Sequence, residues 1–232
     1  MVMNKLVALL KRIVGRNPFL FSLFYFMVKN KYRVANKNTQ LVLEGFPRCA
    51  NTFSYVILKD IDPNLNIAHH LHLPVQIIIG VKRKIPVVVL IRDPKDAILS
   101  LLLRNSSITL DDAIKSYVSF YKIALRFRSD IIVAEFNDVI IDFNIIIKQI
   151  NLKYNINLAG FANSVKNKEK YKSIIKEMDK KDTGSLEVNA YSVALPNEDK
   201  NIRKFKLLKQ YDDLDSKLLE ARILYNNLII YK

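Results

Sequence analysis

The chain has 232 residues, 50% of them hydrophobic, and a formal net charge of +15. That length and composition suit a globular domain with a substantial core, and five glycines and seven prolines exclude a fibrous or low-complexity class. The single cysteine, Cys49, excludes an internal disulfide and a cysteine-based metal cluster and fits a reducing, cytoplasmic setting, while the positive charge either attracts a polyanion it does not name or forms a solvated lysine-rich surface.

In chain order, Lys5, Lys11, Arg12 and Arg16 flank Leu6, Val7, Leu9, Leu10, Ile13 and Val14 at helical spacing, which predicts a basic amphipathic helix. The apolar run Phe19–Val28 is too short for a bilayer, which needs roughly 20 residues. This N-terminal helical segment, 1–36, either packs on the domain or rests peripherally on an anionic membrane surface through residues 1–30. Gln40–Leu43 reads as a buried strand that stops at Glu44-Gly45, followed by a loop over 46–52 and a helix from Phe53 to Leu58. Asn66–His72 reads as a short strand or loop, and 75–83 as a helix. Pro86–Ile91 is the clearest buried strand: β-branched, uncharged and abruptly bounded. Asp93-Pro94 then opens a helix through Arg104, with Asp as N-cap and Pro at the first helical position.

Thr109 and Asp112 cap a helix from Leu110 to about Arg128. Ile131–Ala134 is a further strand, with a loop over 135–138 and a helix from Asp142 to Leu152. A polar helical stretch runs from Phe161 to Lys180, and one long helix from about Glu198 to Ile230 closes the chain. Strand–helix alternation predicts an α/β fold with a central parallel sheet and helices on both faces. An α/β core covers 38–155 and a helical C-terminal part 156–232, all in a single domain. Ligands of such sheets bind beyond the carboxyl ends of the strands. The loops 44–52, 92–94 and 135–138 leave those ends.

The loop Gly45-Phe46-Pro47-Arg48-Cys49-Ala50-Asn51-Thr52 joins a buried strand to a helix start, where backbone N–H groups favour an anion. Arg48 adds charge, and Asn51 and Thr52 add donors. The Walker spacing and its Gly-Lys are absent, which argues against a nucleoside triphosphatase. The second motif is Arg92-Asp93-Pro94-Lys95-Asp96 followed by Ser100. Ser100 is the hydroxyl within the apolar stretch 97–103, and its partner is either a backbone carbonyl one turn back or a phosphate oxygen shared with Arg92.

Together these motifs resemble the sulfotransferase family that uses 3′-phosphoadenosine 5′-phosphosulfate (PAPS). That family's 5′-phosphosulfate loop reads roughly Pro-(Lys/Arg)-Ser-Gly-Thr-Thr-(Trp/Phe), and Pro47 to Phe53 occupies the same pattern. Its 3′-phosphate element reads Arg-(Asn/Asp)-Pro-(Lys/Arg)-Asp with a later serine, matched at Arg92, Pro94, Asp96 and Ser100. The likeness covers roughly residues 40–155. It implies a P-loop-like sulfotransferase architecture, Arg48 and the amides of Cys49, Ala50, Asn51, Thr52 and Phe53 on the 5′-phosphosulfate, and Arg92 and Ser100 on the 3′-phosphate. Cys49, Ala50 and Asn51 depart from the usual Ser-Gly-Thr. The family's late Gly-x-x-Gly-x-Trp-Lys element is missing, and Arg203, Lys204 and Lys206 stand as substitutes for its basic groups.

His69, His70 and His72 are the chain's three histidines. A metal site, a structural role and a general base are the three readings. Histidine titrates near working pH, which suits removal of a hydroxyl proton, and His72-Leu73-Pro74 resembles the family's base setting. His72 is the first choice for the base, His70 the second if the segment is extended, and no metal is required. The expected reaction transfers a sulfuryl group to a hydroxyl of a carbohydrate or small-molecule acceptor. The competing classes are a P-loop small-molecule kinase and a basic non-enzymatic nucleic-acid or membrane-surface binder.

Overall fold

The computed structural model describes residues 13–25, 30–161, 165–184, 186–187, 193, 195, 198–211 and 213–230. Four strands, β1 (Leu41–Gly45), β2 (Ile67–His69), β3 (Val87–Ile91) and β4 (Ile132–Glu135), form one sheet in the order β2-β1-β3-β4, every pair parallel. Every residue of all four strands is buried. A parallel sheet covered on both faces needs apolar residues at consecutive positions rather than alternate ones. This is why 87–91 reads as an unbroken run of Val, Leu and Ile.

Between β1 and β2 lies α2 (Asn51–Ile61), and between β2 and β3 lies α3 (Val75–Lys82). The chain steps outward from β1 to β2, then back across β1 to β3. Right-handed crossovers taken in opposite directions put α2 and α3 on opposite faces. From β3 to β4 the chain keeps its direction through α4 (Pro94–Arg104) and α5 (Leu110–Arg126), and α5 touches α3 on their shared face. Gly80 lets α3 approach the sheet closely: a Cβ there would sit 2.6 Å from a Val87 methyl.

The predicted caps form. Asp93 Oδ1 accepts the Asp96 N–H at 3.1 Å with Pro94 opening α4, and Thr109 Oγ1 accepts the Asp112 N–H at 3.2 Å at the start of α5. Two expectations change. The loop expected at 135–138 is the start of a short helix, α6 (Phe136–Ile141), because Glu135 turns its own side chain onto the Asn137 N–H as an N-cap. A separate helix, α7 (Asn144–Tyr154), follows it. The single long helix expected over 198–230 is three: α9 (Glu198–Leu208), α10 (Leu214–Lys217) and α11 (Leu219–Ile229). The chain turns after Leu208, with the Gln210 and Tyr211 N–H groups bonding back to Leu207 and Leu208. Asp213 and Asp215 then sit at a new helix start, where acidic residues are favoured. The polar helix α8 (Val165–Thr183) is anchored to α2 by Tyr171, whose hydroxyl donates to Asp60 at 2.6 Å.

The basic stretch before Ile13, and residues 26–28 of the second apolar run, lie outside the described residues. Residues 13–25 pack on the domain. Val75 N–H donates to Gly15 O at 2.7 Å, and Arg16 Nε donates to Ser119 Oγ at 2.6 Å. Phe21, on α1 (Pro18–Phe24), is buried with Val34 and Val75, while Phe19 and Leu23 stay exposed. Among the described residues no helix is long and apolar enough to cross a membrane.

Candidate functional site

In the order β2-β1-β3-β4 the chain leaves β1 toward one side and β3 toward the other, so the crevice between their carboxyl ends is the sheet's topological switch point. Both sequence motifs flank it. The first loop is tied down from below. Asn51 Nδ2 donates to Phe46 O at 3.0 Å, Phe46 N–H to the Tyr121 hydroxyl at 3.4 Å, and that hydroxyl to Leu90 O at 2.7 Å. Tyr117 likewise donates to Arg92 O at 2.7 Å. Gly45 permits the close β1–β3 approach here, since a Cβ would meet Leu90 O at 2.6 Å.

Arg48 (φ 74°) and Ala50 (φ 66°) both take left-handed backbone, which costs a non-glycine residue roughly 1–2 kcal/mol. Ala50 is the N-cap and has no side chain to cap with, so the first N–H groups of α2 keep their capacity for an acceptor. Cys49 turns inward: it is fully buried, its Sγ lies 3.5 Å from the Tyr121 hydroxyl, and burial pushes the thiol up to about 12. It is therefore a packing residue and contributes only its amide to the loop. Phe53 packs edge-on against Tyr171 of α8.

Arg48, Arg92 and Ser100 come together. Arg48 Nε donates to Ser100 Oγ at 3.0 Å, and Arg92 Nη1 donates to Arg48 O at 3.2 Å. Arg92 lies over the Phe136 ring, 4.0 Å from its centroid, and 3.8 Å from Asp96, and its Nε is buried without a hydrogen-bond partner. Burial, and then the guanidinium groups of Arg104 and Arg92, push Arg48 down to about 10. Lys200 is pushed down to about 8 by burial and then by Arg48. Buried Asp179 opposes both shifts without cancelling them, and the mutual repulsion of the basic groups at this corner is a condition an added anion relieves. One detail departs from the sequence-based assignment, which set Arg48 and Ser100 at opposite ends of one nucleotide. They are bonded to each other. A buried guanidinium must satisfy its donors, and Ser100 Oγ and Val193 O (3.3 Å from Nη2) are acceptors within reach. Arg203 is exposed on α9, whereas its neighbour Lys204 forms an ion pair with Asp96.

Across the crevice stands the histidine turn. His70 and His72 do not alternate on an extended strand as expected: both are left-handed (φ 57° and 55°), and β2 ends at His69. Their rings nevertheless converge, with centroids 5.9 Å apart. The turn is held by Glu44, which sequence reasoning passed over as a strand end. Its side chain is completely buried, with Oε1 accepting the Leu71 N–H and Oε2 the His72 N–H, each at 2.9 Å. Burial raises the Glu44 carboxyl to about 8, although hydrogen bonds from these amides and from Gln76 oppose the rise. The available signal was a lone acid inside an otherwise apolar strand, since a buried acid needs partners.

His72 Nδ1 lies 2.8 Å from Gly45 O. A carbonyl only accepts, so Nδ1 carries the proton and Nε2 keeps its lone pair. Burial, and the charges of Arg104, Arg33 and Arg48, hold this imidazole down to about 4, so it is neutral at physiological pH. His70 Nε2 lies 3.0 Å from Thr52 Oγ1, and His70 Nδ1 faces His69 Nδ1. Among the described residues no group of three or more His, Cys, Asp or Glu side chains is placed to hold a metal ion. No protein-family model matches the chain, and no curated protein matches it significantly.

Proposed function

We propose that this protein is a PAPS-dependent sulfotransferase that acts on a hydroxyl of a carbohydrate or small-molecule acceptor. The observation that carries the reading is the convergence of Arg48, Arg92 and Ser100 at the switch point between β1 and β3, beside a helix start without a side-chain cap. The residues fit such a nucleotide. The buried Arg92 Nε without a protein partner, the self-repelling arginines and the open amides of α2 are donors and charge suited to two phosphate groups. When bound, the co-substrate supplies an activated sulfuryl group on a good leaving phosphate.

In this reading His72 Nε2 takes the proton of the acceptor hydroxyl as its oxygen bonds to sulfur. The sulfur–oxygen bond to the phosphate breaks, and the amides at the start of α2 and Arg48 hold the negative charge left there. Arg48 reaches that charge by releasing Ser100, which then serves the 3′-phosphate with Arg92. Placement and fixed donors supply most of the acceleration. A bound polyanion also offsets the charges of Arg104 and Arg48 on His72 and lifts it toward the range of an effective base.

The test is ligand-dependent stability followed by transfer. 3′-Phosphoadenosine 5′-phosphate should raise the thermal midpoint, by the equivalent of about 2.7 kcal/mol at a hundred times Kd. Incubation with labelled PAPS and a panel of hydroxyl acceptors should give a sulfate ester by mass. A midpoint that responds to ATP with Mg²⁺ and not to the bisphosphate would favour a kinase and sink the proposal. Steeply salt-dependent RNA binding without nucleotide competition would favour the non-enzymatic class.

A further inference from the structure

His70 was the alternative base, yet its ring is already engaged. Nε2 lies 3.0 Å from Thr52 Oγ1, and Nδ1 faces His69 Nδ1. His69 is in turn fixed by the Tyr55 ring, stacked on it at 4.0 Å between centroids and 22° between planes. A base needs a lone pair aimed at the substrate, and both His70 nitrogens point at protein. The other end of this chain is Thr52, in the first turn of α2, where Ala50 supplies no side-chain cap.

Only two proton arrangements satisfy the chain, because one proton is shared between the facing Nδ1 atoms. In the first, His70 Nδ1–H donates to His69, and His70 Nε2 accepts the Thr52 O–H, so the hydroxyl proton is spent on protein. In the second, His69 Nδ1–H donates to His70, and His70 Nε2–H donates to Thr52 Oγ1. The Thr52 proton is then released to a further acceptor, and at the start of α2 that acceptor is an anion.

We propose that His70 is a positioning residue: it donates Nε2–H to Thr52 and so turns the Thr52 hydroxyl onto the phosphate oxygen held by the loop 48–53. The inference rests on the anion-binding reading of that loop and gives His70 a role distinct from that of His72. A hydroxyl aimed at a charged oxygen is a strong hydrogen bond, so its loss should weaken anion binding about tenfold or more.

The experiment measures Kd for 3′-phosphoadenosine 5′-phosphate and, separately, for inorganic pyrophosphate, by calorimetry. It uses the whole chain and the variants His70→Ala, His70→Gln, Thr52→Val and the double variant His70→Ala/Thr52→Val. His70→Ala and Thr52→Val should each raise Kd about tenfold, and the double variant should lose little more than either alone, because the two act through one bond. His70→Gln, whose amide can donate from the position of Nε2, should stay within about threefold of the parent. Nitrogen-15 histidine spectra of the bound protein should show His70 protonated at Nε2, a readout that a merely structural role does not fix.

Losses that multiply in the double variant, or a bound-state His70 protonated at Nδ1, overturn the proposal while leaving the sulfotransferase reading intact. Binding of pyrophosphate but not of the adenosine bisphosphate overturns the nucleotide reading, and the pyrophosphate losses still decide the role of His70. Binding of neither overturns both.

Discussion

Replacing Glu44 by glutamine (Glu44→Gln) probes the group that holds the histidine turn. The wild-type carboxyl is raised from 4.5 to about 8 by burial. Between those pH values the unfolded chain has lost this proton while the folded protein still holds it. The folded state therefore binds more protons, and stability falls as pH rises, by about 1.4 kcal/mol for each pH unit. The loss is complete above about pH 8, with a ceiling of about 5 kcal/mol. The glutamine amide cannot titrate, so the stability of wild type minus variant should fall by several kcal/mol between pH 4 and pH 9. The histidines act in the opposite sense. His69 is held down to about 3 and His72 to about 4, mainly by burial, so their contribution is full above 6.5 and lost as pH falls toward those values. They are present in both proteins and cancel in the difference. Denaturant unfolding at six pH values between 4 and 9 measures it. A constant offset from the altered hydrogen bonding is expected and does not matter. A difference that stays flat, or that grows with pH, refutes the reasoning, because it means that the two amides already hold Glu44 as an ordinary carboxylate.

Four further outcomes follow from the same geometry. Arg92→Ala should weaken 3′-phosphoadenosine 5′-phosphate binding by at least tenfold, and His72→Ala should leave that binding within about threefold while abolishing turnover; calorimetry and the mass assay separate the two. Ala50→Gly should raise stability by up to about 1 kcal/mol in thermal unfolding, because glycine adopts φ 66° without the left-handed penalty. Gly45→Ala should lower stability by about 1–3 kcal/mol or more, because its Cβ meets the Leu90 carbonyl and Cβ, which belong to the sheet and have nowhere to move.

The sheet was legible where one local rule decided it. Residues 87–91 are apolar at every position, and only a strand buried on both faces requires that. The start of α4 was legible because Asp93-Pro94 is a cap whose partner, the Asp96 N–H, lies three residues away. The helix expected over 198–230 failed for a matching reason. Leucines at helical spacing continue through 207–228, but periodicity carries no information on whether the axis turns between them. The histidine turn was illegible because its causes are distant. Left-handed φ at His70 and His72 has no signature in non-glycine residues, and the Glu44 carboxyl that holds the turn lies 27 and 28 residues before the amides it accepts from.

Motif spacing and side-chain contact therefore carry different kinds of information about the candidate site. Spacing fixed which strand ends bear the charged residues, and the sheet order then required Arg48 and Arg92 to share one crevice, because β1 and β3 are neighbours. It could not fix the end of that crevice to which Arg48 leans. That is decided by which acceptors a desolvated guanidinium can reach, and Ser100 Oγ is one of them. The depressed Arg48, the neutral His72 and the raised Glu44 share one leading cause, burial. Burial that merely packed a core would have no reason to gather these three ionisable groups at the ends of neighbouring strands. Under the proposed function, a polyanion held at the start of α2 would relieve Arg48 and lift His72 at once.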